Sequence, residues 1–234
     1  MRAAWQRLGQ IIDTIAGSRL FKPVVFVACA WPLAILSSKT WQLFYGDNPD
    51  ALGADPTKEL LHETGETALL LLLLSLTVTP VRRLFGANRV QRVRRMLGVW
   101  SFAYALTHLS VYLIFDQLCY SASTCEFNAI WQDILKRRFI FVGQLAFLCL
   151  LLLALTSTTG WVRRLKKNWA RLHRLAYVAA VAGVIHFIWI QKSDISEPLK
   201  WAFWLGVLFA VRLYFSVVRR RAAAPARAVT PSRP

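Results

Sequence analysis

The chain has 234 residues, 56% of them hydrophobic, and a positive mean hydropathy. That leaves too little polar material for several soluble domains, and the repeated apolar runs read as one all-α, polytopic membrane domain. A formal charge of +17 invites a nucleic-acid partner, but 21 of the 29 Lys and Arg fall in Met1–Pro23, Arg82–Arg95, Arg163–Arg174 and Arg219–Pro234. Those are alternate connections plus both termini, a topology signal and not a nucleic-acid surface.

A helix rising about 1.5 Å per residue needs roughly 20 residues to cross a hydrocarbon core of about 30 Å. In chain order, Met1–Pro23 is a basic segment too polar for the core of a cleavable signal, and is expected to be cytoplasmic. A transmembrane domain over 24–218 follows, with six spans: Val24–Phe44, Glu66–Val81, Leu97–Phe115, Phe139–Trp161, Leu172–Ile190 and Leu199–Val218. The first is interrupted by Pro32 and Lys39, and the second is short unless Leu60–Gly65 extends it. Residues 219–234, rich in Ala and Pro with spaced Arg, are expected to form a disordered tail. Of the twelve acidic residues only Asp13 lies on the basic side. Cytoplasmic loops carry the Lys/Arg excess, so both termini are expected in the cytoplasm, which requires an even number of crossings. The same cations can contact anionic lipid.

Cys29 and Cys149 fall inside spans and read as small buried apolar residues. Cys119 and Cys125 share a loop assigned to the outside, where a disulfide is sterically possible but not compelled.

Histidines at membrane depth are functional candidates by default. His108 comes thirteen residues after Arg95, and His186 thirteen after His173, with Arg95 and His173 both at cytoplasmic span starts. Both imidazoles should therefore sit about 20 Å in from that boundary, level on two helices running the same way. Bis-histidine haem ligation needs that arrangement, one axial nitrogen on each side of the macrocycle; the bland alternative is a hydrogen bond across a helix pair. Small residues (Ala103, Ala105, Ala179, Ala180, Ala182, Gly183) could leave room for a flat ring, with Phe102, Tyr104, Tyr112, Phe187 and Trp189 flanking it.

His173 points about 140° away from His186 on an ideal helix, and its level counterpart is Arg94 or Arg95. It could ligate a second haem, bind a cofactor carboxylate or phosphate with those arginines, or sit at the headgroup interface. His62, beside Glu63 and Glu66, reads as interfacial, with quinone or proton handling the alternative. No glycine-rich phosphate loop, HExxH or GxSxG motif competes, and there is no recognisable nucleotide domain. No catalytic constellation competes with the haem reading; a stand-alone transmembrane metal or haem reductase and a haem-free transporter or assembly factor are the other classes left open.

The strings TPVRRLFG (Thr79–Gly86), RRMLGVWSFAYALTHLSVY (Arg94–Tyr112), KRRFIFVGQLAFLCLLLLALTS (Lys136–Ser157) and WARLHRLAYVAAVAGVIHFIWIQKSD (Trp169–Asp194) resemble, in order and spacing, one family. It is the haem-binding membrane subunits of periplasmic methionine-sulfoxide reductase systems, MsrQ or YedZ, which have ferric-reductase-like transmembrane domains. The resemblance runs from about Lys22 to Val218. It implies a b-type haem protein of the bacterial inner membrane that takes electrons from the quinone pool and delivers them to a periplasmic molybdenum-cofactor reductase. It also implies FMN, for which Arg82, Arg83, Arg94 and Arg95 are candidate ligands, and it places the family's ligand histidines at His108, His173 and His186.

Overall fold

The computed structural model describes residues 2–46, 48, 50–117, 126–191 and 195–223, all helix and connection with no strand among them. Asp47, Cys119, Tyr120, Cys125, Asp194 and Ser232 lie outside the described residues, as does the side chain of Phe127. The helices are α1 (Arg2–Gly17), α2 (Phe21–Tyr45), α3 (Pro56–Phe85), α4 (Gln91–Val111, continued by a π turn to Asp116), α5 (Phe127–Lys136), α6 (Arg138–Leu155), α7 (Thr159–Leu165), α8 (Lys167–Leu172), α9 (Leu175–Ile190) and α10 (Ser196–Ala223). Among the described residues, six helical segments are long and apolar enough to cross a membrane: α2, α3, α4 with its π turn, α6, α8–α9 and α10. They correspond one for one to the six expected spans. The last helix runs through Arg219 to Ala223, and residues 224–234 lie outside the described residues.

The second span, short by sequence, is the longest helix among the described residues. Asp55 caps its start, its carboxylate accepting the Lys58 N–H at 3.0 Å, and Pro56 takes the first turn, where its missing N–H costs nothing. Gly86 ends it in the left-handed conformation (φ 73°) and returns its N–H to the Arg82 carbonyl. Glu59 in the first turn and Arg82 and Arg83 in the last match the helix dipole. α3 is also the axis of the bundle: Leu69, Leu72, Leu73 and Leu76 are buried against Cys149 and Leu150 of α6, Ala176, Ala179 and Ala180 of α9, and Leu205 and Leu208 of α10.

α2 is held differently. Pro32 cannot donate to the helix ladder, and beside it the buried Tyr104 hydroxyl accepts the Leu33 N–H at 2.9 Å and donates to the Cys29 carbonyl at 2.7 Å. Those are two groups four residues apart that a regular helix would join to each other, so α4 stitches α2 through its proline site. Tyr104→Phe should cost about 1–3 kcal/mol for groups left without that partner, measured as a lower thermal midpoint of the purified protein.

α1 docks on the α3–α4 connection. A side chain at Gly9 would lie 1.8 Å from the Phe85 carbonyl oxygen, so only glycine permits the approach. Asp13 accepts the Arg89 N–H at 2.7 Å and pairs with its guanidinium at 3.5 Å. Trp5, on the docked face, packs on Phe85 with ring centroids 5.1 Å apart, while the other stripe, Leu8, Ile11 and Ile15, is exposed and apolar, the pattern of a helix lying in a membrane interface.

Candidate functional site

His108 on α4 and His186 on α9 face each other with ring centroids 6.2 Å apart and planes at 84°. Their helices do not pack on one another. α4 lies chiefly on α3 and α9 chiefly on α6, so each imidazole is presented by its own helix pair. His108 donates from Nδ1 to the Leu61 carbonyl at 2.9 Å, with Thr64 Oγ1 at 3.4 Å; His186 donates from Nδ1 to the Phe139 carbonyl at 2.7 Å. A carbonyl can only accept, so both Nδ1 atoms carry the proton and both Nε2 lone pairs remain for another partner.

Each carbonyl is reachable because a glycine follows it by four residues. Gly65 sits over the Leu61 carbonyl and Gly143 over the Phe139 carbonyl, the helical i and i+4 relation. A Cβ would stand 3.1 Å from the His108 ring at Gly65 and 2.7 Å from the His186 ring at Gly143. Carbonyl, glycine and histidine recur at one spacing: 61 and 139, 65 and 143, 108 and 186 are each 78 positions apart. The packing beneath repeats too, with Ala68 and Ser101 of the first half (Ser101 Oγ to the Ala68 carbonyl, 2.8 Å) matched by buried Ala146 and Ala179. Two copies of one helix-pair device thus converge on one point. Two imidazoles bound trans to one metal, with nitrogen–metal bonds of about 2 Å, put their centroids roughly 6 Å apart. The pair therefore fits a haem iron; no group of three or more His, Cys, Asp or Glu suited to a metal ion occurs among the described residues.

A second polar layer lies nearer the basic end. The buried side-chain atoms without a hydrogen-bond partner among the described residues are Thr79 Oγ1, Gln91 Oε1, His173 Nε2 and Arg212 Nε, contributed around this end by α3, α4, the α8–α9 junction and α10. Arg212 donates to the Tyr177 hydroxyl and the Leu76 carbonyl and stands 4.8 Å over the Tyr177 ring. The charges of Arg83 and Arg94 reach it, while Arg94 and Arg95 act on His173, whose ring lies 3.9 Å from that of Trp169. Arg94 is half-buried and Arg95 is exposed, so these neighbours serve different surroundings. His62 meets Glu66 at 3.8 Å and Glu197 at 3.6 Å, bridging α3 to α10.

Comparison with known proteins gives the chain a family. Residues 64–184 match the ferric reductase like transmembrane component family. The chain is 44% identical over 213 residues to the "Protein-methionine-sulfoxide reductase heme-binding subunit MsrQ" of Xanthomonas euvesicatoria pv. vesicatoria, covering 91% of this chain and 94% of that protein. The Rhodospirillum rubrum protein of the same name is 46% identical over 204 residues, covering 87% of this chain and 92% of that protein. The chain belongs to the MsrQ family. No solved structure matches it.

Several residues weighed for the site do other work in this MsrQ-family bundle. Ala179, Ala180 and Ala182 are buried, the first two in the packing against α3, and do not line an open slot. Tyr104 clamps α2, Tyr112 donates to Asp133 at 2.9 Å, and Phe187 stands edge-on to His62. Conversely, Gly65, Gly143, the Leu61 and Phe139 carbonyls and the anchoring of Arg212 are not read from histidine spacing. The signal for the first four is the internal repeat, visible when GETALLLLLL from Gly65 is laid over GQLAFLCLLL from Gly143.

Proposed function

We propose that this chain is a membrane b-type cytochrome, the electron-transfer subunit and not the catalytic one of a periplasmic methionine-sulfoxide reductase system. His108 and His186 ligate one haem through Nε2. Electrons come from the quinone pool and leave at the outer face to a molybdenum-cofactor reductase that repairs oxidised periplasmic proteins. The observation that carries the reading is the facing pair of imidazoles, each fixed at Nδ1 by a carbonyl that a glycine uncovers. The haem-binding designation of the relatives supports it.

Bound there, haem supplies a one-electron iron couple. The chain's residues do the rest: the Leu61 and Phe139 carbonyls set tautomer and ring direction, as the partners of metal-bound histidines generally do. The leucine wall of α3 keeps the neighbourhood dry.

FMN is the second cofactor we propose, in the inner polar layer. Its phosphate suits Arg82, Arg83, Arg94 and Arg212, and its ring N–H and carbonyl groups suit the orphaned Gln91 Oε1 and Thr79 Oγ1. His173, with a buried orphan Nε2, is then a cofactor ligand in that layer. Arg95, exposed, contributes less there than Arg94.

The chain sits in a bacterial inner membrane with both termini cytoplasmic, by the charge count. One preparation series tests role and orientation. Detergent-purified protein should show a Soret band, with an α band on dithionite reduction; a colourless, folded protein would contradict the cytochrome. In a background with Cys119 and Cys125 changed to Ser, an impermeant maleimide should label Asp50→Cys but not Ser232→Cys in intact spheroplasts. The reverse pattern would invert the topology.

A further inference from the structure

The α2/α4 boundary holds a groove that shares no lining residue with the His108–His186 pair or its tethers. Tyr104 fixes the two helices at mid-depth, and Phe26 meets Trp100 edge-on with centroids 5.2 Å apart. On the basic side of that contact a groove of about 500 Å³ is lined by Lys22, Arg92 and Arg95 together with Phe26, Val99 and Trp100. The volume falls within the roughly 300–1,000 Å³ of ligand pockets. We propose that this groove binds one anionic phospholipid, its phosphate at Lys22, Arg92 and Arg95 and an acyl chain along Phe26, Val99 and Trp100.

Charge selects the headgroup. Asp13, the one acidic residue on this side, is committed to Arg89. Lys22 and Arg95 have no carboxylate partner among the described residues. Arg92 donates to the Ala16 and Gly17 carbonyls at 3.5 and 3.3 Å, which holds its guanidinium in place while leaving further N–H donors. A phosphate therefore meets three cations, whereas the ammonium of a zwitterionic headgroup finds no carboxylate. The apolar remainder argues for a lipid over a soluble anion: Phe26 and Val99 are 51% and 42% exposed on helices that span the bilayer. The depth agrees as well, since α1, with its exposed Trp5, Ile11 and Ile15, marks the headgroup level beside Arg92. Basic pockets between transmembrane helices on the cytoplasmic side are suited to acidic lipid headgroups.

The test uses the full-length protein, stripped of lipid in detergent and titrated with phosphatidylglycerol or with phosphatidylcholine of the same chains, bound lipid being counted by native mass spectrometry. One phosphatidylglycerol should be retained in preference to phosphatidylcholine. Each Lys or Arg near the headgroup contributes roughly a fivefold factor, so Lys22→Gln/Arg95→Gln should weaken retention about 25-fold. Arg163→Gln/Arg164→Gln, the same charge change outside the groove, should leave it unchanged. Val99→Trp, which fills the groove and keeps every charge, should also expel the lipid, and decides the matter if circular dichroism shows the double variant unfolded. Equal retention of the two lipids, full retention by Val99→Trp, or displacement by inorganic phosphate at equal concentration would overturn the proposal.

Discussion

His108→Ala and His186→Ala are each expected to lose most of their haem while the protein still inserts and stays helical. Each imidazole belongs to a different helix pair, so removing one leaves the other half of the bundle packed as before. An outer partner of a metal-bound histidine is commonly worth 10–100-fold in affinity, and the ligand itself at least as much, so a drop on the order of 100-fold or more follows. His173→Ala should keep the haem held by the pair, because its ring belongs to the inner layer. Pyridine haemochrome per mole of protein checks all three. Full haem in either of the first two variants would separate the histidines from the iron.

Gly143→Ala is expected to lose more haem than Gly65→Ala, although both should strengthen their helices. Alanine is favoured over glycine inside a helix by about 0.5–1 kcal/mol, so the local backbone effect has the opposite sign. What decides is the ring behind: a Cβ at 143 would stand 2.7 Å from the His186 ring, a separation that forces movement, whereas at 65 the 3.1 Å separation asks the His108 ring to yield by a few tenths of an ångström. Pushing the imidazole away also lengthens its tether to the Phe139 carbonyl, and with it the aim of Nε2. Haem content against circular dichroism separates this from unfolding. Undiminished haem in Gly143→Ala would show that the carbonyl tether is not what aims the ligand.

Much of the fold could be read from the amino-acid order because a bilayer imposes length and polarity on every span. The six apolar runs, their charged borders and the spacing of His108 and His186 from those borders are all one-dimensional facts, and the two rings do meet. The parts that escaped are those carried by backbone. The Leu61 and Phe139 carbonyls have no side-chain signature, and a glycine among leucines reads as a small residue until an imidazole is seen lying on it. Tyr104 reads in sequence as one of the aromatics flanking the ring, and nothing in its position says that Pro32 on another helix has opened a ladder for it to enter. Arg212 lies inside the last span with no sequence neighbour to neutralise it, and only packing brings Leu76 and Tyr177 to it.

The proposed orientation also sets the proposed direction of electron flow. A haem held by His108 and His186, about 20 Å from the cytoplasmic boundary of a core about 30 Å thick, would lie nearer the outer face, where Asp50, Asp55 and Glu59 and the exposed Trp131 would meet a soluble partner. The most direct test of the proposed role is to reduce the purified chain anaerobically, add the periplasmic molybdenum-cofactor reductase, and follow the reduced α band on addition of methionine sulfoxide. The band should decay only when reductase and substrate are both present, and more slowly as salt screens the acidic loops. A band that persists with active reductase and substrate would contradict the assignment.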